Sequence, residues 1–253
     1  MHDARRTFIP LTATLALLVA WQLAVMLGLV PNFLLPSPTQ VVVALVEDAS
    51  LLVSHSAATL LEAFLGLLVG CAVGFVVAVL MDRFEAVGLA LDPLVTLSQT
   101  IPTVAIAPLL VLWFGYGLAP KVVLVIISTF FPITVSLVSG FRSVDADMID
   151  LMRTMNAGDW QIFWQVKIPA AAEQFFGGLR ISATYAIVGA VIAEWLGGFS
   201  GLGVYMTRVR KSFSYDRMFA VILLISALSL ALMGVVDVLR RVAMPWKRAE
   251  RKR

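Results

Sequence analysis

The sequence predicts an all-α membrane protein with six transmembrane helices and one polar insertion of two short helices. Of its 253 residues, 60% are hydrophobic and 14% are charged, and the mean hydropathy is +0.93. A soluble domain carries about a quarter charged residues, so this chain is far too apolar to be one. Charges are also sparse within several apolar windows of about 20 residues, the length that crosses a bilayer. One longer polar stretch, residues 142–169, interrupts this pattern.

Six predominantly apolar windows define the predicted spans. They cover residues 8–29, 63–81, 86–115, 122–141, 170–196 and 218–239. Pro93, Pro102 and Pro108 break the third window, because a proline lacks an amide hydrogen and crowds the preceding turn. Between the first two spans, a turn at residues 35–39 precedes a predicted surface helix over residues 40–55. An even number of spans places both termini on one side of the membrane.

Lys and Arg residues orient the chain, because they are enriched in cytoplasmic loops. With both termini cytoplasmic, thirteen of the nineteen basic residues lie on that side and five on the other. Seven of them fall between Arg240 and Arg253, where a basic tail would lie against anionic lipid headgroups. The net charge of +3 is concentrated at the chain ends and does not indicate nucleic-acid binding. The polar stretch is therefore predicted to lie in the cytoplasm.

Small residues recur at every fourth position of the second span. Gly66, Gly70 and Gly74 form one stripe, and Glu62 precedes them at the same spacing. Lipid offers no hydrophobic drive between helices, and such stripes let the backbones approach closely. We interpret the stripe as a helix-packing face whose partner belongs to this chain or to another. The alternative for Glu62, at the outer end of the span, is that it faces a water-filled path.

Arg180 and Glu194 are ionisable residues of the fifth span, and such a residue costs about 2.5–3.5 kcal/mol at the bilayer centre. Arg180 and Glu194 are fourteen residues apart, which is about 21 Å along a helix and on nearly the same face. Two interpretations remain open. Either the side chains reach the headgroups at opposite ends, or they share a polar stripe with Tyr185 that lines a translocation path. In the second case Gln99 of the third span lies opposite.

The polar stretch, called the elbow below, is too short for a domain and too long for a tight turn. Apolar residues at helical spacing between Val144 and Met155 indicate a short amphipathic helix. The run Asn156-Ala157-Gly158 should end this helix, because Asn and Gly tolerate the left-handed conformation that is common at helix ends.

A second short helix is predicted directly after this turn. Asp159 can cap it, and the helix carries Trp160, Phe163 and Trp164. Pro169 suits the first turn of the span that follows. Two small helices at an angle, held between two spans, form a knob that is suited to docking against another protein.

Several kinds of chemistry are missing from the sequence. No Gly-x-x-x-x-Gly-Lys-Ser/Thr loop occurs, so the chain is not expected to bind ATP itself. His2 and His55 form no ligand-spaced pair, and the single cysteine, Cys71, excludes an internal disulfide or a Cys-rich metal site. The sequence therefore favours transport or scaffolding over enzyme activity, with no metal and no cofactor in this chain.

Residues 150–169 resemble the cytoplasmic loop of permease subunits from binding-protein-dependent ABC importers. The signature of that loop is Glu-Ala-Ala, three residues, Gly, nine residues and Ile-x-Leu-Pro. Here Asp150-Leu151-Met152 aligns with Glu-Ala-Ala, Asn156 with the Gly, and Val166-x-Ile168-Pro169 with the end. Only the Pro is identical, although Asp keeps the charge and Asn keeps the turn. Whether Asn156 alters coupling is left open by this departure.

The resemblance covers roughly residues 36–240. It continues through the segments 35–38, 108–117, 130–132 and 193–198, which are most similar to the branch for nitrate, sulfonates, taurine and thiamine precursors. It implies the fold of a type I ABC importer permease in a bacterial inner membrane. The implied organisation is an N-terminal region with the first transmembrane helix (1–35), the importer transmembrane domain (36–240) and a basic cytoplasmic tail (241–253).

The resemblance also implies partners. A homodimer would enclose the path, two cytoplasmic ABC ATPase subunits would bind ATP and Mg and grip the elbows, and an extracytoplasmic solute-binding protein would deliver the solute. The elbow residues expected to couple to the ATPase are Asp150, Arg153, Asn156, Ala157, Gly158, Trp160 and Pro169. The expected solute is a thiamine pyrimidine precursor or riboflavin, or else a sulfonate, taurine or nitrate. The alternative is an ATP-independent secondary transporter or channel protomer, for which paired internal repeats are typical but none is seen.

Overall fold

The computed structural model describes residues 2–31 and 34–245, and it contains no strand within these ranges. The described helices are α1 (His2–Met26), α2 (Pro38–Glu47), α3 (Ala49–Arg83), α4 (Glu85–Ser98), α5 (Thr103–Phe114), α6 (Leu118–Arg142), α7 (Ala146–Thr154), α8 (Asp159–Ile162), α9 (Ile168–Gly197), α10 (Leu202–Lys211) and α11 (Tyr215–Ala243). A π-helical turn, Phe163–Lys167, joins α8 to α9. Most of the predicted basic tail, residues 246–253, lies outside the described residues.

Five helices within the described ranges are long and apolar enough to cross a membrane, and a bent pair makes a sixth crossing if it counts as one. The five include residues 8–26 of α1, α3, α6, the α8–α9 run and α11. The bent pair consists of α4 and α5, which meet at an angle of 98°. The predicted all-α membrane fold is therefore confirmed.

The third predicted span breaks at one proline only. Pro93 and Pro108 lie inside α4 and α5, whereas Pro102 occupies the N-cap of α5 with an extended backbone. A proline inside a membrane helix is tolerated where neighbouring groups satisfy the freed carbonyl. At the N-cap, by contrast, the absence of an amide hydrogen costs the following helix no backbone hydrogen bond. The bend therefore lies at residues 99–102.

The prediction of one surface helix over residues 40–55 is wrong. The chain breaks at Asp48, where α2 ends and α3 begins, so that α3 takes up the residues from 49 onward. Tyr205 donates its hydroxyl to Asp48 Oδ2 at 2.6 Å, and Arg217 Nε lies 3.3 Å from the same oxygen. Burial, together with the Asp48 carboxylate, raises the pKa of Tyr205 and keeps its phenol protonated. These distant partners hold Asp48 at the corner.

The core is a sandwich of α3, α6 and α9, with α11 packed against α9. One buried cluster joins all four helices, and its most buried members are Ala63, Val125, Ala183, Ala186, Ile187, Ala190 and Val236. Most of these side chains are small, because closely packed helices leave too little space between their backbones for large side chains. The partner of the predicted glycine stripe lies in the same chain, since Gly66, Gly70 and Gly74 all face α6.

Replacing Gly70 with alanine should destabilise the fold. A Cβ at position 70 would overlap Thr129 Oγ1, whereas a Cβ at Gly177 in α9 meets nothing. Overpacking costs about 1–3 kcal/mol, while Gly→Ala at an open helical site gains up to about 1 kcal/mol. We expect a lower midpoint of thermal unfolding in detergent for Gly70→Ala and no decrease for Gly177→Ala. Equal midpoints would contradict the close approach of α3 and α6.

Two ends of the helical bundle can be distinguished. At the elbow end, Arg83 of α3 lies 2.6 Å from Asp159 of α8. At the opposite end, called the far end below, Thr59 of α3 lies 2.7 Å from Glu194 near the end of α9. Helices α3, α6 and α11 run from the far end to the elbow end, and α9 runs back.

Candidate functional site

The first half of the elbow is a capped helix with a defined stop. Asp145 accepts a hydrogen bond from the backbone N–H of Asp147 and so caps α7. At its other end Asn156 has a left-handed backbone with φ 60°. The N–H of Ala157 donates to the carbonyl of Met152 at 3.0 Å, and that of Asn156 to Arg153 at 2.9 Å. This pair of bonds is the Schellman motif, in which the left-handed position favours Gly and then Asn.

The second half of the elbow begins one residue earlier than predicted. Gly158, not Asp159, occupies the N-cap of α8, and its N–H donates to Gln161 Oε1 at 3.0 Å. Asp159 is thereby free to pair with Arg83 at 2.6 Å. The prediction that Asp159 caps this helix is wrong, because a basic residue at the end of α3 takes its carboxylate instead.

Two ion pairs brace the elbow against α3. Besides Arg83 and Asp159, Lys167 in the π-helical turn donates to both oxygens of Asp82 at 2.8 Å. Pro169 is the second residue of α9, as its fixed φ suits. These two ion pairs join the elbow to α3, the span that carries the glycine stripe.

The outer face of the elbow exposes large apolar side chains. Trp160 is 70% exposed and Met155 71%, and Leu151 is exposed beside them. Trp160 stacks on Phe163 with 5.9 Å between ring centroids. Of the seven residues predicted to couple to a partner, Ala157 alone is half-buried, and Asp150, Arg153, Asn156, Gly158, Trp160 and Pro169 are exposed. Apolar patches of this kind on a polar end commonly mark protein contacts.

A cavity of about 530 Å³ lies among α5, α6, α9 and the α4–α5 bend, and it is open on one side. Its lining residues are Ser98, Gln99, Ile101, Pro102, Thr103, Ile127, Ser128, Phe131, Pro132, Val135, Ser136, Ile181, Tyr185, Val188, Gly189 and Ile192. The lining residues of α6 and α9 come from the middle of those two helices, so the cavity lies near the middle of the membrane-crossing region. Both Gln99 and Tyr185, predicted to line a path, lie on its wall.

Three other residues predicted for the path lie elsewhere. Arg180 is half exposed and 3.7 Å from Asp237 of α11, a partner that sequence spacing did not reveal. Glu62 and Glu194 are buried at the far end and do not line the cavity. The predicted stripe of Arg180, Tyr185 and Glu194 is thus divided among three environments.

A buried ion pair ties α3 to the start of α6. Lys121 Nζ lies 2.6 Å from Glu62 Oε1, and both side chains are about 95% buried, with exposed fractions of 5% and 4%. Lys121 also donates to the carbonyl of Ser200 at 3.3 Å. Lys121 is one of the five basic residues that the sequence places in loops on the non-cytoplasmic side. In the structure it lies inside α6.

Glu194 and Thr59 cap the N-terminus of α10 from other helices. The N-cap residue, Gly201, has no side chain to offer. Instead the N–H of Gly203 donates to Glu194 Oε2 at 2.6 Å, and the N–H of Leu202 to Thr59 Oγ1 at 2.8 Å. Thr59 in turn donates to Glu194 Oε1 at 2.7 Å. These bonds satisfy amides that a helix start otherwise leaves unpaired.

One signal in the sequence could have revealed this cluster. His55, Thr59 and Glu62 recur at intervals of four and three residues on one face of α3. All three are buried, and His55 Nδ1 accepts a hydrogen bond from the N–H of Gly201 at 2.9 Å. Polar residues at helical spacing on an apolar helix need partners.

Replacing Thr59 with valine should loosen the start of α10. The change leaves the N–H of Leu202 without its acceptor and Glu194 Oε1 without its donor, and each such buried group costs about 1–3 kcal/mol. We expect faster hydrogen–deuterium exchange over residues 201–203. Ser226→Val is the matched control, because Ser226 is exposed and bonds only to Ile222 of its own helix. Unchanged exchange in Thr59→Val would contradict the capping role.

The chain is similar to known transport proteins in sequence. Residues 66–243 match the family model of the binding-protein-dependent transport system inner membrane component. The chain is 36% identical to the formylaminopyrimidine transport permease protein ThiX of Halalkalibacterium halodurans, over 93% of this chain and 94% of that protein. It is 34% identical to the riboflavin transport system permease protein RibX of Chloroflexus aurantiacus, over 94% and 90%.

A solved structure shares the fold. A chain of the inward-facing MetNI methionine ABC transporter superimposes with a TM-score of 0.66 at 20% identity, over 78% of this chain and 97% of that one. The family match covers well over half of the chain, including α3, α6, the elbow and α9. The chain therefore belongs to the inner-membrane permease components of binding-protein-dependent ABC importers.

Proposed function

We propose that two copies of this chain form the path by which an ATP-driven importer carries a small organic solute across the bacterial inner membrane. The mid-membrane cavity supports this, because it is open on one side and its wall carries both apolar and hydrogen-bonding groups. A second copy facing that opening would close the path. The bent pair α4–α5 fits the same role, since broken helices commonly border transport sites.

The elbow is proposed to couple this path to a separate ATPase. The single observation that carries the proposal is an apolar, aromatic knob that is exposed at its tip and ion-paired to α3 at its base. A partner that grips the tip would move α3, and α3 packs along α6 and α9 beside the cavity. Closure of the two ATPase subunits around ATP would draw two elbows together and open the path at the far end.

The elbow end is proposed to face the cytoplasm, with the solute-binding protein at the far end. Arg83, Arg142, Arg153 and Lys167 all lie at the elbow end, and α11 brings Arg240 and Arg241 to the same side. Cytoplasmic segments are enriched in Lys and Arg. Lys121, counted on the other side, is neutralised by Glu62 within the bundle.

The mechanism requires that ATP and the loaded binding protein favour the same conformation. A ligand shifts an equilibrium only by the difference in its affinity for the two states. Energetic coupling of this kind amounts to about 1–3 kcal/mol between sites. The solute is proposed to be a thiamine pyrimidine precursor or riboflavin, with a sulfonate, taurine or nitrate as the other class.

Co-purification tests the coupling proposal. The tagged chain, extracted with its native partners, should bring an ABC ATPase with it. Trp160→Ala should reduce the amount of ATPase, because the largest exposed side chain of the elbow is lost. Phe199→Ala is the matched control, since Phe199 is an aromatic residue at the far end that is at least as exposed as Trp160. If no ATPase accompanies the parent chain, an ATP-independent transporter or channel is favoured instead.

A further inference from the structure

The wall of the cavity carries no ionisable group except the phenol of Tyr185. Among the lining residues named above there is no Lys, Arg, His, Asp or Glu. Six of them can form hydrogen bonds, namely Ser98, Gln99, Thr103, Ser128, Ser136 and Tyr185. The side chains of Ser98 and Ser128 donate to carbonyls of their own helices. Within the described residues, the other four side chains make no hydrogen bond, so their polar groups are available to a bound molecule.

The three basic side chains of the helices around the cavity, α4, α5, α6 and α9, lie next to acidic partners. Arg180 of α9 lies beside Asp237, and Arg142 at the end of α6 lies 3.9 Å from Asp92. Lys121 at the start of α6 is buried against Glu62. The two helix ends at the cavity rim also oppose each other, because the C-terminus of α4 carries partial negative charge and the N-terminus of α5 partial positive charge. The lining residues therefore offer no cationic side chain to a bound anion.

This arrangement discriminates between solute classes. A sulfonate or nitrate entering the cavity would lose its hydration without gaining a cation, and the effective cost of burying an ion is several kcal/mol. An uncharged solute with polar edges could instead bond to the free amide of Gln99 and hydroxyl of Tyr185. Phe131 and Tyr185 also present aromatic rings, which favour flat ring systems. A volume of about 530 Å³ is typical of small-molecule sites.

We propose that the cavity takes an uncharged, flat, hydrogen-bonding heterocycle, of the pyrimidine or flavin type, and excludes sulfonates and inorganic anions. The inference rests on the proposed function, in which this cavity belongs to the solute path. Of the two solute classes proposed above, it favours the pyrimidine and flavin class over the sulfonate, taurine and nitrate class.

A cysteine-protection experiment tests this inference on the permease alone. Cys71→Ala removes the only native thiol, and Val135→Cys places a new one on the cavity wall. The rate of labelling by a water-soluble maleimide is measured with formylaminopyrimidine, riboflavin, taurine or ethanesulfonate added. Ser212→Cys in the same background is the control, because Ser212 is exposed at the far end and outside the cavity.

The two heterocycles should slow labelling of Val135→Cys saturably, and the two sulfonates should leave it unchanged. Labelling of Ser212→Cys should not respond to any of the four. Adding Tyr185→Leu should raise the heterocycle concentration needed for half-maximal protection about two- to tenfold, because one aromatic contact with the heterocycle is lost. Protection by a sulfonate equal to that by the heterocycles, or no protection by either heterocycle, would overturn the inference. Neither ATPase nor binding protein is needed, so failure here is distinct from failure of the co-purification test.

Discussion

Replacing Lys121 with methionine should lower the free energy of unfolding by about 3–5 kcal/mol, the cost of leaving a buried charge unpaired. The Glu62 side chain is only 4% exposed, and its carboxylate would lose the Lys121 ammonium group that lies 2.6 Å away. Its second oxygen, Oε2, already has no hydrogen-bond partner within the described residues. The midpoint of thermal unfolding in detergent should fall accordingly.

Two further variants separate charge from packing. The double variant Glu62→Leu with Lys121→Met should recover most of the lost stability, because an apolar pair of similar volume avoids the desolvation cost. Arg83→Met is the matched control: its pair with Asp159 has the same 2.6 Å distance, but the side chains are 60% and 57% exposed. An exposed pair contributes no more than about 1 kcal/mol. A double variant no more stable than Lys121→Met would contradict the account of the buried pair.

Replacing Asn156 with valine should uncouple solute uptake from ATP hydrolysis. Asn156 holds the left-handed turn between the two elbow helices at φ 60°, and a β-branched residue there costs about 1–3 kcal/mol. If that strain is relieved by a shifted turn, Trp160 leaves its docking position. We expect ATP-driven uptake in proteoliposomes to fall about 5- to 150-fold, the range that 1–3 kcal/mol represents, while ATP hydrolysis persists.

Asn156→Gly is the control for this prediction. Glycine adopts the same conformation without strain and is the commonest residue at this position of the motif. Uptake by Asn156→Gly should therefore equal or exceed that of the parent, with equal amounts of inserted protein in all three. Uptake by Asn156→Val indistinguishable from the parent would show that the turn does not transmit coupling.

The fold was predictable where it depends on local composition. Long apolar windows located every crossing helix, because the bilayer demands about 20 apolar residues regardless of what packs beside them. The corner at Asp48 was missed, since Tyr205 and Arg217, which hold it, are more than 150 residues away. Helix breaks with distant causes leave little trace in the adjacent sequence.

The candidate site was predictable in part for the same reason. The turn at Asn156 follows from one residue type and its neighbours. The pairing of Glu62 with Lys121 and of Arg180 with Asp237 depends on which helices are adjacent, and spacing along one helix cannot reveal it. Ionisable residues in spans need partners, so a search for opposite charges within the predicted spans and at their ends would have suggested both pairs.

Photo-cross-linking from the elbow tests the central claim most directly. p-Benzoyl-phenylalanine placed at position 160 in cells, where Trp160 is exposed on the elbow, should attach to a cytoplasmic ABC ATPase. The same group at position 199, on the far end, should attach to no ATPase. Attachment of an ATPase at 199, or none at 160, would contradict the account.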